Sequence, residues 1–412
     1  MRRLVGLGLV ALLFIIGCST EKSKSAKYIL GKQEYTAIAY GGYRNHDRSV
    51  APNVDEIKED LRILDAMGVR IVRTYHARLY GHTPRLLAAI REMKMADPDF
   101  EMYVMLGAWM QCENAWTAHP VHDKPDKYEN EAEIIQVIKL ANQYPDIVKV
   151  IAVGNESMVH WAESYYVHPR IILKEVIRLQ NLKSSGEIPT DLWITTSDNF
   201  ASWGGGDDSY HLPALDSLIR AVDYLSVHSY PFHDTHYNPN WWWLPKEEES
   251  WTKERQVRSA IERSVKRVSN QIDSVHAYMR SIGVDKPIHI GETGWASSDN
   301  HLYGAEGSGA ADEFKEMLFY QKIRAFSQSR GMACFYFEAF DEPWKDGKNP
   351  GGSENHFGLI TVDGEVKMPL WEAFDKGVFN DLSRGGELLR KSLDGNMERG
   401  LSLAFSPPNS ND

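Results

Sequence analysis

Two glutamates in similar surroundings are the residues of this sequence best suited to acid–base chemistry. Glu156 ends the run Val153-Gly154-Asn155-Glu156, and Glu292 lies in Gly291-Glu292-Thr293-Gly294-Trp295. Either one alone could equally be a solvated loop carboxylate. Together they could supply one protonated carboxyl group for a leaving oxygen and one ionised carboxylate that attacks carbon or activates water. Glycoside hydrolysis needs this division of roles, so we predict Glu156 and Glu292 as catalytic residues.

The elements that must position these glutamates alternate regularly along the chain. Short β-rich runs are followed by amphipathic helical patterns, which predicts parallel strands with crossover helices. The predicted strands are 35–40, 69–75, 102–106, 148–153, 192–197, 224–227, 288–290 and 333–337. No G-x-G-x-x-G follows the first strand, so a dinucleotide-binding sheet loses support. We predict an α/β fold with a single (β/α)8 TIM barrel and a polar C-terminal tail.

In such a barrel the active site forms at the carboxyl ends of the strands. The predicted strands end in polar and aromatic residues at Arg73-Thr74-Tyr75-His76, Gly107-Ala108-Trp109, Gly154-Asn155-Glu156, His228-Ser229-Tyr230-Pro231, Gly291-Glu292-Thr293-Gly294-Trp295 and Phe337-Glu338-Ala339-Phe340-Asp341-Glu342. We therefore expect these side chains to surround the two glutamates.

Several of these motifs resemble glycoside hydrolase family 17, the β-1,3-glucanases and glucanosyltransferases, over about residues 35–379. The segments ending at Glu156 and around Glu292 are similar to the family's acid/base and nucleophile segments. Its Arg-x-Tyr and Tyr-Pro elements are matched by Arg73-Thr74-Tyr75 and Ser229-Tyr230-Pro231. The most specific stretch, which resembles the fungal and bacterial branch, runs over 337–345 and 354–359.

The resemblance implies a retaining double displacement in which Glu292 attacks the anomeric carbon and Glu156 acts as acid and then as base. It also implies that Asn155 binds a sugar hydroxyl, Tyr230 holds the nucleophile and Arg73 keeps Glu292 ionised. The full expected substrate-binding set is Arg73, Tyr75, Asn155, Tyr230, Trp295, Glu342, Trp344, Lys345 and Glu354. Packing or capping roles, and a surface ion-pair network for the charged members, remain open alternatives.

Tryptophans near strand ends could stack on the apolar faces of sugar rings. Trp295 and Trp344 are the strongest candidates, and Trp109 and Trp203 also follow strand ends. For Trp241-Trp242-Trp243, a cleft wall, a barrel cap and a membrane-facing patch all remain open.

Composition and spacing argue against several other functions. The chain carries 46 Lys and Arg against 57 Asp and Glu, a net charge of −11, which disfavours nucleic acid and suits a neutral substrate. His228, His233 and His236 flank Pro231 without metal-ligand spacing, so we expect no metal and no cofactor. We expect a monomer whose partner is a β-glucan.

The amino terminus predicts an exported protein. A basic start and the apolar run 4–16 form a signal segment too short to span a membrane. Ile15-Ile16-Gly17-Cys18 resembles a bacterial lipobox and implies lipid on Cys18 and a place in the cell envelope, anchored to a membrane. The expected organisation is a lipoprotein signal (1–17), a linker (18–30), the catalytic barrel (31–380) and a polar tail (381–412).

Several alternatives remain open from the sequence. Cys112 and Cys334 fit buried free thiols, with a disulfide as the alternative. Hydrolase and glucanosyltransferase differ only in whether water or a sugar hydroxyl reaches the covalent intermediate. A retaining glycosidase for another sugar and a non-catalytic glycan-binding lipoprotein are weaker hypotheses, the latter because both glutamates are present.

Overall fold

The computed structural model describes residues 24–409, in which eight parallel strands form a closed barrel. The strands are β1 (Thr36–Ala39), β2 (Val69–Arg73), β3 (Tyr103–Ala108), β4 (Val148–Asn155), β5 (Trp193–Asn199), β6 (Leu225–His228), β7 (Ile288–Gly294) and β8 (Cys334–Phe337). Each strand pairs with its neighbours in chain order, and β1 pairs with β8 to close the ring. This is the (β/α)8 barrel predicted from the strand–helix rhythm. Cys18 and the signal segment lie outside the described residues.

Helices between consecutive strands cover the outside of the barrel, and one short helix precedes the first strand and two follow the last. They are α1 (Ala26–Ile29), α2 (Val54–Ala66), α3 (His82–Ala96), α4 (Lys127–Gln143), α5 (Pro169–Ser185), α6 (Pro213–Ala221), α7 (Pro231–Tyr237), α8 (Lys253–Ser281), α9 (Glu313–Ser329), α10 (Trp371–Asp375) and α11 (Met397–Leu403). Six of them begin with a side-chain cap. At α2, for example, the Asn53 side chain and Glu56 form a capping box.

Alternate residues of the strands point into the barrel. Ala37 and Ile71 belong to one buried cluster, while their neighbours Ile38 and Val72 pack with the helices in another. Side chains alternate between the two faces of a strand, so the next inward position on β2 belongs to Arg73. This arginine is 1% exposed. The alternation of side chains along β2 therefore places its cationic side chain at the centre of the barrel mouth.

The segment before β1 closes the amino-terminal end of the barrel. α1 buries Ala26 and Ile29 in the same cluster as the barrel interior. The backbone N–H of Ala26 donates to the carbonyl of Asp191, just before β5, at 3.1 Å. This segment was expected to be part of a free linker, but its apolar side chains fill the end of the barrel.

The residues after 380 differ from the polar tail expected from composition. Arg384 is buried and donates from Nε to Oδ1 of Asp60 on α2 at 3.0 Å. Its guanidinium lies 4.2 Å from the ring centroid of Phe340. Farther along, Leu244 N–H donates to the carbonyl of Pro408 at 2.9 Å. Buried apolar side chains of this segment also belong to the main hydrophobic core, so an ion pair, hydrogen bonds and apolar contacts together attach it to the barrel.

Two further observations concern membranes and thiols. None of the helices within residues 24–409 combines the length and apolar composition needed to cross a membrane. Cys112 and Cys334 are both buried free thiols, so they are not joined to each other.

Candidate active site

Glu156 and Glu292 lie at the same end of the barrel and are connected through β6. Glu156 follows β4 directly, and Glu292 is among the last residues of β7. His228, the last residue of β6, is the strand partner of Glu292, and its Nδ1 lies 3.0 Å from Oε1 of Glu156. One residue therefore contacts both glutamates, as expected for side chains at the carboxyl ends of barrel strands.

Hydrogen bonds hold both oxygens of Glu292. Arg73 Nη1 donates to Oε2 at 2.7 Å, and the Tyr75 hydroxyl donates to the same oxygen at 3.0 Å. The Tyr230 hydroxyl donates to Oε1 at 2.7 Å. Burial alone disfavours the charge, but the Arg73 cation, the two hydroxyls and the His228 ring, when it is protonated at low pH, together outweigh it and lower the pKa of Glu292. The group is therefore an ionised carboxylate.

Glu156 is held in the opposite state. Burial and the negative charge of Glu292 raise the pKa of Glu156 well above its usual range, and Arg73 only partly offsets this. Its φ of 48° is left-handed, and Gly154, two residues earlier, has a φ of 90°. Such backbone is uncommon outside glycine and is concentrated at functional sites. The turn places a protonated carboxyl group opposite an ionised one.

His228 lies at a strand end, as expected, but the sequence analysis assigned it no role in the reaction and weighed it otherwise only as a metal ligand. Its Nε2 lies 2.7 Å from Ser197 Oγ, which lies 2.9 Å from Ser226 Oγ. Burial lowers the pKa of His228 to about 4, so the ring is neutral at pH 7. The positive charge beside Glu292 therefore belongs to Arg73.

The neutral ring can satisfy every partner with one tautomer. If Nδ1–H donates to Oε1 of Glu156, Nε2 accepts from Ser197, whose oxygen accepts from Ser226. This arrangement suits both protonation states of Glu156, provided that its proton resides on Oε2. Ser226 and His228 are two residues apart on β6, so the inward period of that strand is the signal that could have identified them.

Arg73 also connects three strands. Its Nη2 donates to Oδ1 of Asn155 at 2.5 Å, and its Nη1 donates to the carbonyl of Gly291 at 2.6 Å. Asn155 lines the cleft with its amide oxygen already occupied. Its NH2 group is therefore the part that can donate to a bound hydroxyl.

A cleft of about 920 Å³ opens above these residues. One wall carries Tyr43 and Trp344, whose ring centroids lie 5.8 Å apart. The facing wall carries Trp109, Trp116 and Tyr165, with Trp116 and Tyr165 stacked at 4.9 Å. Aromatic faces on both walls suit the apolar faces of pyranose rings.

The charged residues after β8 form part of the cleft rather than a surface network. Lys345 Nζ lies 2.6 Å from Glu338 and 3.3 Å from Glu342, and both carboxylates are buried. Glu342 Oε2 accepts from the indole N–H of Trp344 at 3.1 Å and so fixes that ring. Glu354 lines the same cleft and is exposed.

Two tryptophan predictions require correction. Trp295 is fully buried and its Nε1 donates to the carbonyl of Ala310 at 2.8 Å, so it cannot stack on a substrate. Trp203 is also buried and donates to the carbonyl of Ser226 at 2.9 Å. The sequence analysis used only the position of these residues after a strand end, and that position does not show that their rings point back into the core. Trp109 and Trp344 do line the cleft.

The histidines after β6 serve packing and hydrogen bonding. His233 Nδ1 lies 3.1 Å from the Tyr303 hydroxyl, and His236 is exposed. Within residues 24–409, no cluster of three His, Cys, Asp or Glu side chains could hold a metal ion.

Comparison with known proteins relates this site to carbohydrate enzymes. Residues 37–358 match the family described as "BtgE/BtgC glycoside hydrolase domain". The crystal structure of an endo-laminarinase from Formosa Hel1_33_131 is 54% identical, with a TM-score of 0.92, covering 94% of this chain and 98% of that chain. A curated glucan 1,3-beta-glucosidase of Arthroderma benhamiae is 25% identical over 318 residues, covering 76% of this chain and 83% of that protein.

A more distant structure shares the fold alone. An active-site mutant of the Rhizomucor miehei beta-1,3-glucanosyltransferase, in complex with laminaritriose, is 23% identical with a TM-score of 0.54. The match covers 80% of this chain and 94% of that chain.

Proposed function

Because the chain belongs to the BtgE/BtgC glycoside hydrolase family, which is related to family 17, we propose that this glycosidase hydrolyses β-1,3-glucan of the laminarin type. The observation that carries the proposal is the pair Glu156 and Glu292 at one barrel mouth, in surroundings that raise the pKa of the first and lower the pKa of the second. The similarity to an endo-laminarinase supports the choice of substrate.

In the first step, Glu292 attacks the anomeric carbon and the bond to the leaving sugar oxygen breaks. Glu156 transfers its proton to that oxygen, and the Asn155 amide donates to a hydroxyl of the sugar in the cleft. In the second step, Glu156 takes a proton from water, which attacks the same carbon and frees the Glu292 carboxylate. Retention by this route requires carboxyl groups about 5–5.5 Å apart.

The change of role at Glu156 follows from its electrostatics. The charge of Glu292 is one cause of the raised pKa of Glu156. When Glu292 becomes an ester to the sugar, that charge disappears and the pKa of Glu156 falls. The acid of the first step thereby becomes the base of the second.

Glucanosyl transfer is the second candidate function. It is favoured by the aromatic wall of Trp109, Trp116 and Tyr165, which could bind a sugar acceptor in place of water.

A time course on linear β-1,3-gluco-oligosaccharides, with mass detection of every product, tests both activities. The soluble form should begin at Ser19, because α1 is part of the barrel and must be kept. Only shorter products indicate a hydrolase, and products longer than the substrate indicate a transferase. An unchanged substrate, with the Glu292→Gln variant as the inactive reference, would contradict both.

We further propose that the protein is a lipoprotein of the bacterial cell envelope, held to a membrane by acyl chains on Cys18. The basic start, the apolar run and the lipobox-like Ile15-Ile16-Gly17-Cys18 support this. Metabolic labelling with an alkyne fatty acid should mark the wild-type protein and not Cys18→Ser. Equal labelling of both would contradict it, and light scattering of the soluble form tests the expected monomer.

A further inference from the structure

A second groove lies outside the catalytic cleft, between the loop after α7 and the long helix α8. It has a volume of about 710 Å³ and shares no lining residue with the cleft. Its main lining residues are Trp241, Trp243, Lys246, Lys266, Arg267 and Asn270. We call it the basic groove, and no step of the proposed reaction uses it.

The three tryptophans of the loop differ in burial: one is packed in the core and two line the groove. Trp242 is fully buried and its Nε1 donates to the carbonyl of Ser308 at 2.8 Å, which fixes the loop. Trp241 and Trp243 on either side are only half-buried. The guanidinium of Arg267 lies 5.3 Å from the Trp241 ring centroid, whereas no ring or cation of the described residues stacks on Trp243. The Trp243 indole is therefore available to pack on a pyranose ring.

Polar groups without protein partners surround this ring. Lys246, Lys266, Asn240 and Asn270 are exposed residues of the groove. Across residues 24–409 none of their side chains makes a hydrogen bond or an ion pair. Amide and ammonium groups beside an open aromatic face can bind the hydroxyls and acidic substituents of a saccharide.

The charge of the groove distinguishes among saccharides. Its two arginines are already paired, Arg263 with Glu248 at 2.9 Å and Arg267 with Asp234 at 2.5 Å. The lining itself contains no carboxylate, so the two lysines are its surplus positive charge, and Lys266 also interacts with Asp273 outside the lining. The whole chain has a net charge of −11, so this groove is a locally positive region of a negatively charged molecule.

The catalytic cleft has the opposite character. The carboxylates along it outnumber its cations, with Glu129, Glu133, Glu292, Glu342 and Glu354 against Arg48, Arg78 and Lys345. A polyanion would be repelled from the cleft and attracted to the basic groove. The two grooves are therefore suited to different polymers.

We propose that the basic groove binds an acidic saccharide, a pyranose chain carrying carboxylate or sulfate groups. One ring packs on Trp243, the acidic groups accept charge-assisted hydrogen bonds from Lys246 and Lys266, and the asparagines bind hydroxyls. The concave shape and the half-buried tryptophans favour a saccharide over a lipid surface, which needs protruding apolar side chains. This site does not depend on which glucan the cleft cleaves.

Calorimetric titration in the Glu292→Gln background tests the proposal. The probes are a β-1,3-glucan oxidised at C6 to the glucuronate form, a sulfated form of the same glucan and the unmodified parent. Laminarihexaose is present at saturation throughout to occupy the cleft. We expect both acidic forms to bind and the parent not to bind. Lys246→Ser/Lys266→Ser should weaken binding by about tenfold or more, since two charge-assisted contacts are lost.

Matched variants separate the groove from general charge effects. Lys139→Ser/Lys376→Ser removes the same charge from exposed positions on α4 and near α10. This variant should bind the acidic glucans as tightly as the protein with all four lysines. In the active enzyme, neither double variant should change kcat/KM on neutral oligosaccharides by more than about twofold. The proposal is wrong if the groove variant binds the acidic glucans normally. Equal binding of the unmodified neutral glucan would also overturn it. So would a titration in which phosphatidylglycerol vesicles bind and neither acidic glucan does.

Discussion

Glu292 accepts three hydrogen bonds, and it can attack the anomeric carbon only as an ionised carboxylate. We predict that Glu292→Ala lowers turnover by about 10⁴-fold or more while the fold is retained, because no other group can form the glycosyl ester. Azide should restore cleavage of an activated glycoside and give the inverted α-azide, identified by NMR. The matched carboxylate variant Glu354→Gln should lose less than about tenfold, since Glu354 is exposed and does not contact Glu292. Unimpaired turnover in Glu292→Ala would refute its role as nucleophile.

The pH profile depends on the same two glutamates. Activity requires Glu292 ionised and Glu156 protonated, so kcat/KM should be bell-shaped. The lowered pKa of Glu292 sets the acid limb, and the raised pKa of Glu156 sets the basic limb.

His228→Phe removes the proposed Nδ1–H donor to Glu156 at similar volume. Loss of a donor to the carboxylate disfavours its ionised form, so the basic limb should move to higher pH and the acid limb should move less. Tyr237→Phe, an exposed ring on α7, serves as the control. A basic limb that moves to lower pH would mean that Nδ1 accepts from protonated Glu156, and the tautomer assignment would be wrong.

At the scale of the elements, β7 must approach β5 and β6 closely behind the catalytic pair. A Cβ on Gly291 would lie 2.2 Å from Ser226 Oγ and 2.5 Å from Ser197 Oγ. We predict that Gly291→Ala destabilises the protein by about 1–3 kcal/mol and lowers kcat through displacement of His228.

The control for that variant is Gly347→Ala, where the nearest atom to the added Cβ is the Trp344 carbonyl oxygen at 3.8 Å. Urea unfolding and kcat should both be nearly unchanged there. If Gly291→Ala behaved like Gly347→Ala, the contact between β7 and the serines would not be tight.

The ion pair between α2 and the carboxyl-terminal segment is a second prediction at this scale. Asp60 and Arg384 both have fully buried side chains. Arg384→Met should lower the free energy of unfolding by about 3 kcal/mol, because it leaves a buried carboxylate with fewer partners. Arg390→Met removes an exposed pair with Glu365 in the same segment and should cost less than about 1 kcal/mol. Equal losses in urea titrations would contradict a structural role for this segment.

The strands and helices could be predicted from sequence because period and turn residues are local signals. The predicted strands at 148–153 and 192–197 correspond to β4 and β5 within a few residues. The orientation of Trp295 and Trp203 could not be predicted, since it depends on which neighbouring loop supplies an acceptor for each indole. The role of His228 could not be predicted because its partners Ser197 and Ser226 come from two strands that only the closed barrel brings together.

For the whole molecule, the sequence indicated the barrel and the glutamate pair but not how the ends of the chain are attached. The short α1 resembles a linker in composition, and the segment after 380 is polar. Their roles depend on surfaces that exist only once the barrel has formed, such as its open lower end and buried Asp60. Contacts far apart in sequence leave no periodic pattern to detect.

The closure of the amino end of the barrel by α1 has a consequence for orientation. The chain enters the barrel at the face opposite Glu156 and Glu292. Only five residues lie between Cys18 and Lys24, so the distance between the two is at most about 20 Å even when the chain is fully extended. An acyl anchor at Cys18 would therefore hold the barrel upright above the bilayer with its mouth directed outward. Long polymers could then be cut from above without approaching the lipid headgroups.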